Sequence, residues 1–223
     1  MSAEPNKASR NRLTLHSLKF FEGEGLFNRL GRAVCRAQCL PRKEFFETWE
    51  VVKRVRRRFR DRPIFELAAG HGFLSLLMVL LEEGIPSATC VDVRKPPSHE
   101  RLRAGLSVEW PRLAGCVNYE QQPIEGVEIA PGSLVVSVHA CGGLTDRVLD
   151  RALAVRAGVA VLPCCHDLDE SDDGGLTGWM EGTLAIDAAR AARLHSAGYR
   201  VLTTTIPEEI TPRNRLLMGW PLD

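Results

Sequence analysis

From Pro63 onward the chain alternates short apolar runs with segments whose apolar residues recur every three or four positions. Ile64–Ala68, Ala88–Asp92, Cys116–Glu120, Leu134–Val138 and Val159–Leu162 each have the length and branched-residue content of a buried strand. Between them, Phe73–Glu82, residues 98–110 and Thr145–Val155 carry the helical period, and a longer helix starts at 182 and closes at Gly198. Residues 200–206 and 213–221 predict a terminal antiparallel pair. Strands that alternate with helices pair in parallel through right-handed crossovers, so the pattern predicts an α/β domain with a mostly parallel seven-stranded sheet over 61–223.

Before Pro63 the pattern differs. Residues 1–12 are polar and are expected to form a disordered tail. Residues 13–60 form a helical extension or lid, with short helices broken near Gly23 and Gly25. A longer amphipathic helix then runs from Pro41, set by Phe45, Trp49, Val52 and Val55. Its other face carries Lys53, Arg54, Arg57 and Arg58.

Charge sharpens that division. The net charge is +1, but residues 1–62 hold 16 Lys/Arg against 7 Asp/Glu, and the remainder holds 13 against 21. The basic run 53–62 is therefore a candidate RNA contact, with a solvated helix face as the alternative. An acidic loop, 167–173, follows the fifth strand and favours a neutral or cationic partner. No apolar run approaches the length of a membrane span, and no signal-peptide core opens the chain, so a cytoplasmic location is expected. Seven scattered cysteines are no disulfide framework. Nothing in the sequence bears on oligomeric state.

The chemistry concentrates at strand ends. In "FELAAGHGF" the acid Glu66 stands in the first strand, and Gly70 and Gly72 open the next helix. Such a turn brings backbone close to a ligand at a helix N-terminus. Dinucleotide sites place a third glycine three residues further on, where this chain has Ser75. An anionic Glu66 repels a pyrophosphate and suits a cationic amino-acid ligand. The motif thus resembles motif I of class I S-adenosylmethionine methyltransferases. The cofactor candidates are Glu66, Ala68, Gly70, Gly72 and Phe73, then Asp92 and Val93 for the ribose end, Gln122 for the adenine, and His139.

The fourth and fifth strands end in "VHACGG" and "PCCHD". Ligands bind at the carboxyl ends of such strands, so His139, Cys141, Cys164, Cys165 and His166 should share a pocket wall. Three readings of the thiols stand open. A metal needs about four converging ligands, and adjacent Cys164 and Cys165 diverge if the chain is extended, so no metal ligand is assigned. A thiolate nucleophile would be Cys141 or Cys164. In the third reading the cysteines only line the pocket, and proton transfer falls to His139, His166 and Asp146. Cys165, Arg213 and Asn214 are candidate acceptor contacts.

Taken together, Glu66–Gly72, Asp92, His139–Gly142, Thr145-Asp146 and Cys164–His166 resemble a methyltransferase-domain family. That family includes the eukaryotic tRNA acceptor-stem 2′-O-methyltransferases and the methyltransferase domain of the glutathione S-transferase C-terminal-domain-containing protein. The resemblance spans about residues 42–220 and implies a Rossmann-like fold and S-adenosylmethionine as cofactor. The expected function is methyl transfer, to an RNA resembling tRNA or to a small molecule or peptide beneath a helical lid; a non-catalytic binding module of the same fold is the third reading.

Overall fold

The computed structural model describes residues 5–222. Its sheet has seven strands in the order β3-β2-β1-β4-β5-β7-β6. These are β1 (Ile64–Leu67), β2 (Ala88–Asp92), β3 (Val117–Gln121), β4 (Leu134–Ser137), β5 (Gly158–Val161), β6 (Tyr199–Thr205) and β7 (Arg215–Pro221). The first five pair in parallel, and β7 runs antiparallel to both β5 and β6. Strand order reverses between β1 and β4, and a doubly wound sheet opens its binding crevice at that switch point.

Side-chain alternation along the strands divides the core in two. Ile64, Leu134, Val136, Ala160 and Met218 face one layer, and Phe65, Leu67, Val135, Val159 and Leu217 face the other. The second layer is closed by α6 (Leu144–Ala154) and α7 (Gly182–Ser196). The first is closed by α3 (Phe73–Leu81), α4 (Pro97–Ser107) and the N-terminal helices α1 (Leu26–Ala37) and α2 (Arg42–Val55). A 3₁₀ turn, Leu15–Phe20, precedes α1, and a short α5, Leu113–Cys116, precedes β3.

The N-terminal helices belong to the core rather than lying loosely over it. Phe21, Phe27, Phe45, Phe46 and Trp49 form a chain of aromatic contacts, and Phe45 stacks on Phe73 at 5.9 Å and 25°. Each buried ring contributes roughly 1.5–3 kcal/mol by leaving water. Residues 5–12, expected within a loose tail, run beside the start of α2: Ser9 and Asn11 carbonyls accept from the Lys43 and Arg42 amides. Residues 1–4 of that tail lie outside the described residues.

Element boundaries move where local chemistry competes. The helix expected over 41–60 stops at Val55, because like charges stack at four-residue spacing in Lys53/Arg57 and Arg54/Arg58. Cys116 goes to α5, anchored by fully buried Leu113, so β3 starts one residue later than expected. Among the described residues no helix is long and apolar enough to cross a membrane.

Candidate functional site

The turn after β1 bends through three left-handed residues: Ala68 (φ 55°), Gly70 (φ 49°) and Gly72 (φ 68°). Gly72 caps α3 and has no side chain to offer its free amides. Glu66 does that work from the strand, its Oε2 accepting from the Ser75 amide at 2.8 Å. Burial pushes the Glu66 carboxyl up to about 7, partly offset by hydrogen bonds from Ser75. Asp92 closes the turn from β2: its Oδ2 accepts from the Gly70 amide at 3.0 Å, and its Oδ1 from the Arg94 amide at 3.2 Å. Tyr119 of β3 reaches the Gly70 carbonyl with its hydroxyl at 3.0 Å.

The two glycines face different ways. A Cβ on Gly72 would meet Cys90 Sγ and His99 Nδ1 at 2.8 Å, whereas a Cβ on Gly70 would meet nothing within 4 Å. Gly72 admits core packing; Gly70 borders open space. That space is a cavity of about 200 Å³ lined by Glu44, Thr48, Glu66, Gly70, His71 and His139, among others.

One wall of the cavity comes from α2. Glu44 approaches His71 Nε2 at 3.5 Å, and burial together with the neighbouring Glu47 charge pushes its carboxyl up to about 7. Glu47, one turn on, is almost wholly buried; its Oε1 pairs with Lys43 at 3.2 Å, and its Oε2 has no hydrogen-bond partner. His139 Nε2, at the end of β4, lies 3.9 Å from that oxygen. His139 keeps 39% of its side chain open, while crowding and the positive charge of Lys43 push its pKa down to about 4. The imidazole is therefore neutral at physiological pH.

This donor set fits S-adenosylmethionine. The cavity offers carboxylates from Glu44 and Glu66 to a ligand that carries an ammonium and a sulfonium, and the open space at Gly70 is where a ligand can approach backbone. Asp92, Val93 and Gln122 stand at the ends of β2 and β3, where the nucleoside end belongs, and Val93 is 68% exposed there. Gln122 is held by its backbone amide to the Asp92 carbonyl and by its side-chain amide to Glu120. Phe73 lines the cavity but is buried against Phe45, so it supports the floor from below.

The other expected site residues are divided. Cys141, Cys164 and Cys165 converge, with all three Sγ atoms within 4.8 Å of one another. The divergence expected of Cys164 and Cys165 holds only for extended chain, and the strand has already ended at Val161. His166 turns away from the cavity. Its side chain is 1% exposed, and its Nε2 bonds Asp187 Oδ1 at 2.7 Å. Asp187 also accepts from Arg215 Nε at 2.7 Å, and these partners hold its carboxyl below the usual range against the opposing pull of burial. Asp146 is engaged by buried Arg190 through both oxygens, at 2.9 and 2.6 Å. Arg213 donates to Thr183 and Asn214 to the Ile206 carbonyl, which fastens the start of β7 to its neighbours rather than placing either residue in the cavity.

Sequence reasoning missed Glu44, Glu47, Thr48, His71 and Tyr119. The first three had a signal: they put polar groups on the apolar face of an amphipathic helix, beside Phe45, Val51 and Val52. His71 was hidden between the two glycines that drew attention.

A family described as a methyltransferase domain matches residues 43–170, more than half of the chain. The glutathione S-transferase C-terminal domain-containing protein homologs of Drosophila melanogaster and Drosophila pseudoobscura pseudoobscura are each 26% identical over 198 residues, covering 70% of this chain and 32% of theirs. The chain thus spans about a third of the length of these curated relatives. Similar solved structures include a putative O-methyltransferase from Nostoc punctiforme (TM-score 0.52, 13% identity, 79% of this chain and 57% of that one). Another is the B. subtilis M1A22 tRNA methyltransferase (TM-score 0.51, 14% identity, 78% of this chain and 66% of that one). At such identities the likeness is one of fold. With that fold, the acid-lined cavity at the switch point and the family match, the chain belongs to the methyltransferase-domain family, whose fold implies S-adenosylmethionine as the methyl donor.

Proposed function

We propose that this methyltransferase acts on RNA and presents one nucleotide at a time to the cavity beside His139. The observation that carries the reading is a basic rim. Arg12 and Arg101 are exposed, and their charge adds to the burial that lowers the pKa of His71 in the cavity wall. Lys43 extends that positive field to His139. Phosphates on either side of a reacting nucleotide would meet this rim. The run 53–62 plays a smaller part in the proposal. Helix α2 carries the chain roughly 16 Å from Glu44 to Val55, which leaves Arg57 and Arg58 beside the start of β1, at the opposite end of the sheet from the cavity. Lys53 and Arg54 are already paired with Glu50.

When bound, the cofactor supplies an electrophilic methyl group on a sulfonium. Glu66 and the Gly70 backbone would hold its amino-acid end, with Asp92, Val93 and Gln122 at the nucleoside end. Neutral His139 would take the proton that the acceptor loses, and Glu47 behind it would stabilise the resulting imidazolium. Glu44 and Thr48, on α2, cover the cavity and reduce its exposure to water.

One observation favours a second acceptor class, a small cationic molecule or peptide. The acidic loop 167–173 adjoins Cys164 and Cys165 and would repel phosphates on that side. A transfer assay with isotopically labelled cofactor over total RNA, protein extract and metabolites decides between them. Label in RNA that nuclease releases supports the first reading; label confined to metabolites or protein overturns it.

A further inference from the structure

We propose that Cys141, Cys164 and Cys165 form a binding site for one thiophilic metal ion of the zinc type, at the carboxyl ends of β4 and β5. The three Sγ atoms lie within 4.8 Å of one another, and Cys141 and Cys164 approach to 3.1 Å. A tetrahedral ion with Zn–S bonds near ~2.3 Å sets its sulfurs about 3.8 Å apart, a spacing this cluster reaches by a movement of under about 1 Å.

The backbone holds the cluster in place. The Gly142 amide donates to the Cys165 carbonyl at 3.2 Å, tying the two strand ends together. Pro163 and the loss of strand geometry after Val161 turn Cys164 and Cys165 toward the same point. The first turn of α6 follows Cys141 directly, and the Leu144 amide donates to the Cys141 carbonyl. Cys141 and Cys165 are exposed, so an ion can enter.

Three protein ligands leave a fourth position, as in zinc sites that keep one place for water or substrate. Cys141 Sγ is 3.6 Å from the carbonyl oxygen of His139, the residue that lines the cofactor cavity. The cluster therefore adjoins the cavity beside His139, and its open position would take water or an acceptor heteroatom. Binding releases the thiol protons to solvent, with no change in oxidation state. The site depends on no particular acceptor, and it is measured without donor or acceptor present, so its failure and the failure of the RNA reading are separate events.

The test uses the full-length chain, reduced and stripped of metal. Titration with Zn²⁺ alone should show one equivalent bound, and Co²⁺ should give a cobalt–thiolate charge-transfer band in the near ultraviolet. Changing only groups that orient metal ligands costs about 10–100-fold in affinity, so Cys141→Ser, Cys164→Ser and Cys165→Ser should each cost ~100-fold or more. Cys116→Ser, at the α5–β3 junction, should cost nothing. Should a variant fail to fold, alkylation of the unaltered chain serves instead: Zn²⁺ should shield these three cysteines and leave Cys116 reactive. Absence of stoichiometric zinc, binding that survives the triple serine variant, or a Cys141–Cys164 disulfide in place of metal under the same reducing conditions overturns the proposal.

Discussion

Glu47 Oε2 and His139 Nε2 face each other at 3.9 Å, and the carboxylate oxygen has no hydrogen-bond partner. A buried unpaired oxygen is costly, and a proton taken up by His139 would give it a partner. His139→Ala should slow methyl transfer by about 10² and leave cofactor affinity within a few-fold, since the proposed donor contacts are Glu66 and Gly70. Glu47→Gln should slow it less, by roughly tenfold. Single-turnover rates with labelled cofactor, beside calorimetric binding of the demethylated product, separate the two effects. Full transfer rates in His139→Ala would remove it from the chemistry.

The glycine turn makes a paired prediction. Gly72→Ala combines a left-handed φ with contacts at 2.8 Å to Cys90 and His99, and should destabilise the fold by about 2 kcal/mol or more. Gly70→Ala has only the backbone term, about 1 kcal/mol, and should fold while losing cofactor affinity. Thermal melts with and without cofactor check both. An equal loss of stability in the two variants would contradict the assignment of Gly70 to the ligand side.

Glu44 and Glu66 both titrate near 7 in the folded chain, raised from 4.5. Raised carboxyls keep their protons in the native state after the unfolded chain has lost them. Their cost to stability is thus absent below about pH 4.5, grows as pH rises, and is complete above about 7. The cofactor-free protein should lose stability from pH 5 to pH 8, and Glu66→Gln should flatten that trend. A cationic donor needs the ionised form, so its affinity should increase over the same interval. A dissociation constant that stays level from pH 6 to pH 8 would argue against these carboxylates as cofactor ligands.

Charge reversal tests the rim. Arg12→Glu combined with Arg101→Glu should weaken RNA binding and reduce the slope of log affinity against log salt by about 1–2. The same change at Arg57 and Arg58 should have a smaller effect. Filter binding across a salt series measures both, and the opposite ranking would return the contact to the far end of α2.

The ionic network behind β5 is predicted to hold the fold together. Asp187 is shared by His166, Arg190 and Arg215, and its carboxyl is held below the usual range. Asp187→Ala leaves buried Arg190 and His166 without that partner and should destabilise by about 3 kcal/mol or more, a value read from denaturant unfolding. Because the folded pKa is depressed, the contribution is present above the unfolded value and disappears as pH falls through the folded one.

Sequence alone determined the strands, their alternation with helices and the glycine turn after β1. These depend on local signals: apolar period, glycines at a strand-to-helix junction, and an acid in the preceding strand. It also placed His139 and the cysteines at neighbouring strand ends, because parallel sheets collect ligands there. Tertiary structure decided which of these groups meet. His166 and Asp146 are taken up by Asp187 and Arg190, residues of α7 more than 20 positions further along the chain. The three sulfurs converge because the chain stops being a strand at Val161, and alternation argued from the sequence assumed that it continued. Glu44 and Thr48 line the cavity because Phe45 docks α2 on Phe73 of α3, packing between distant segments that no local period encodes.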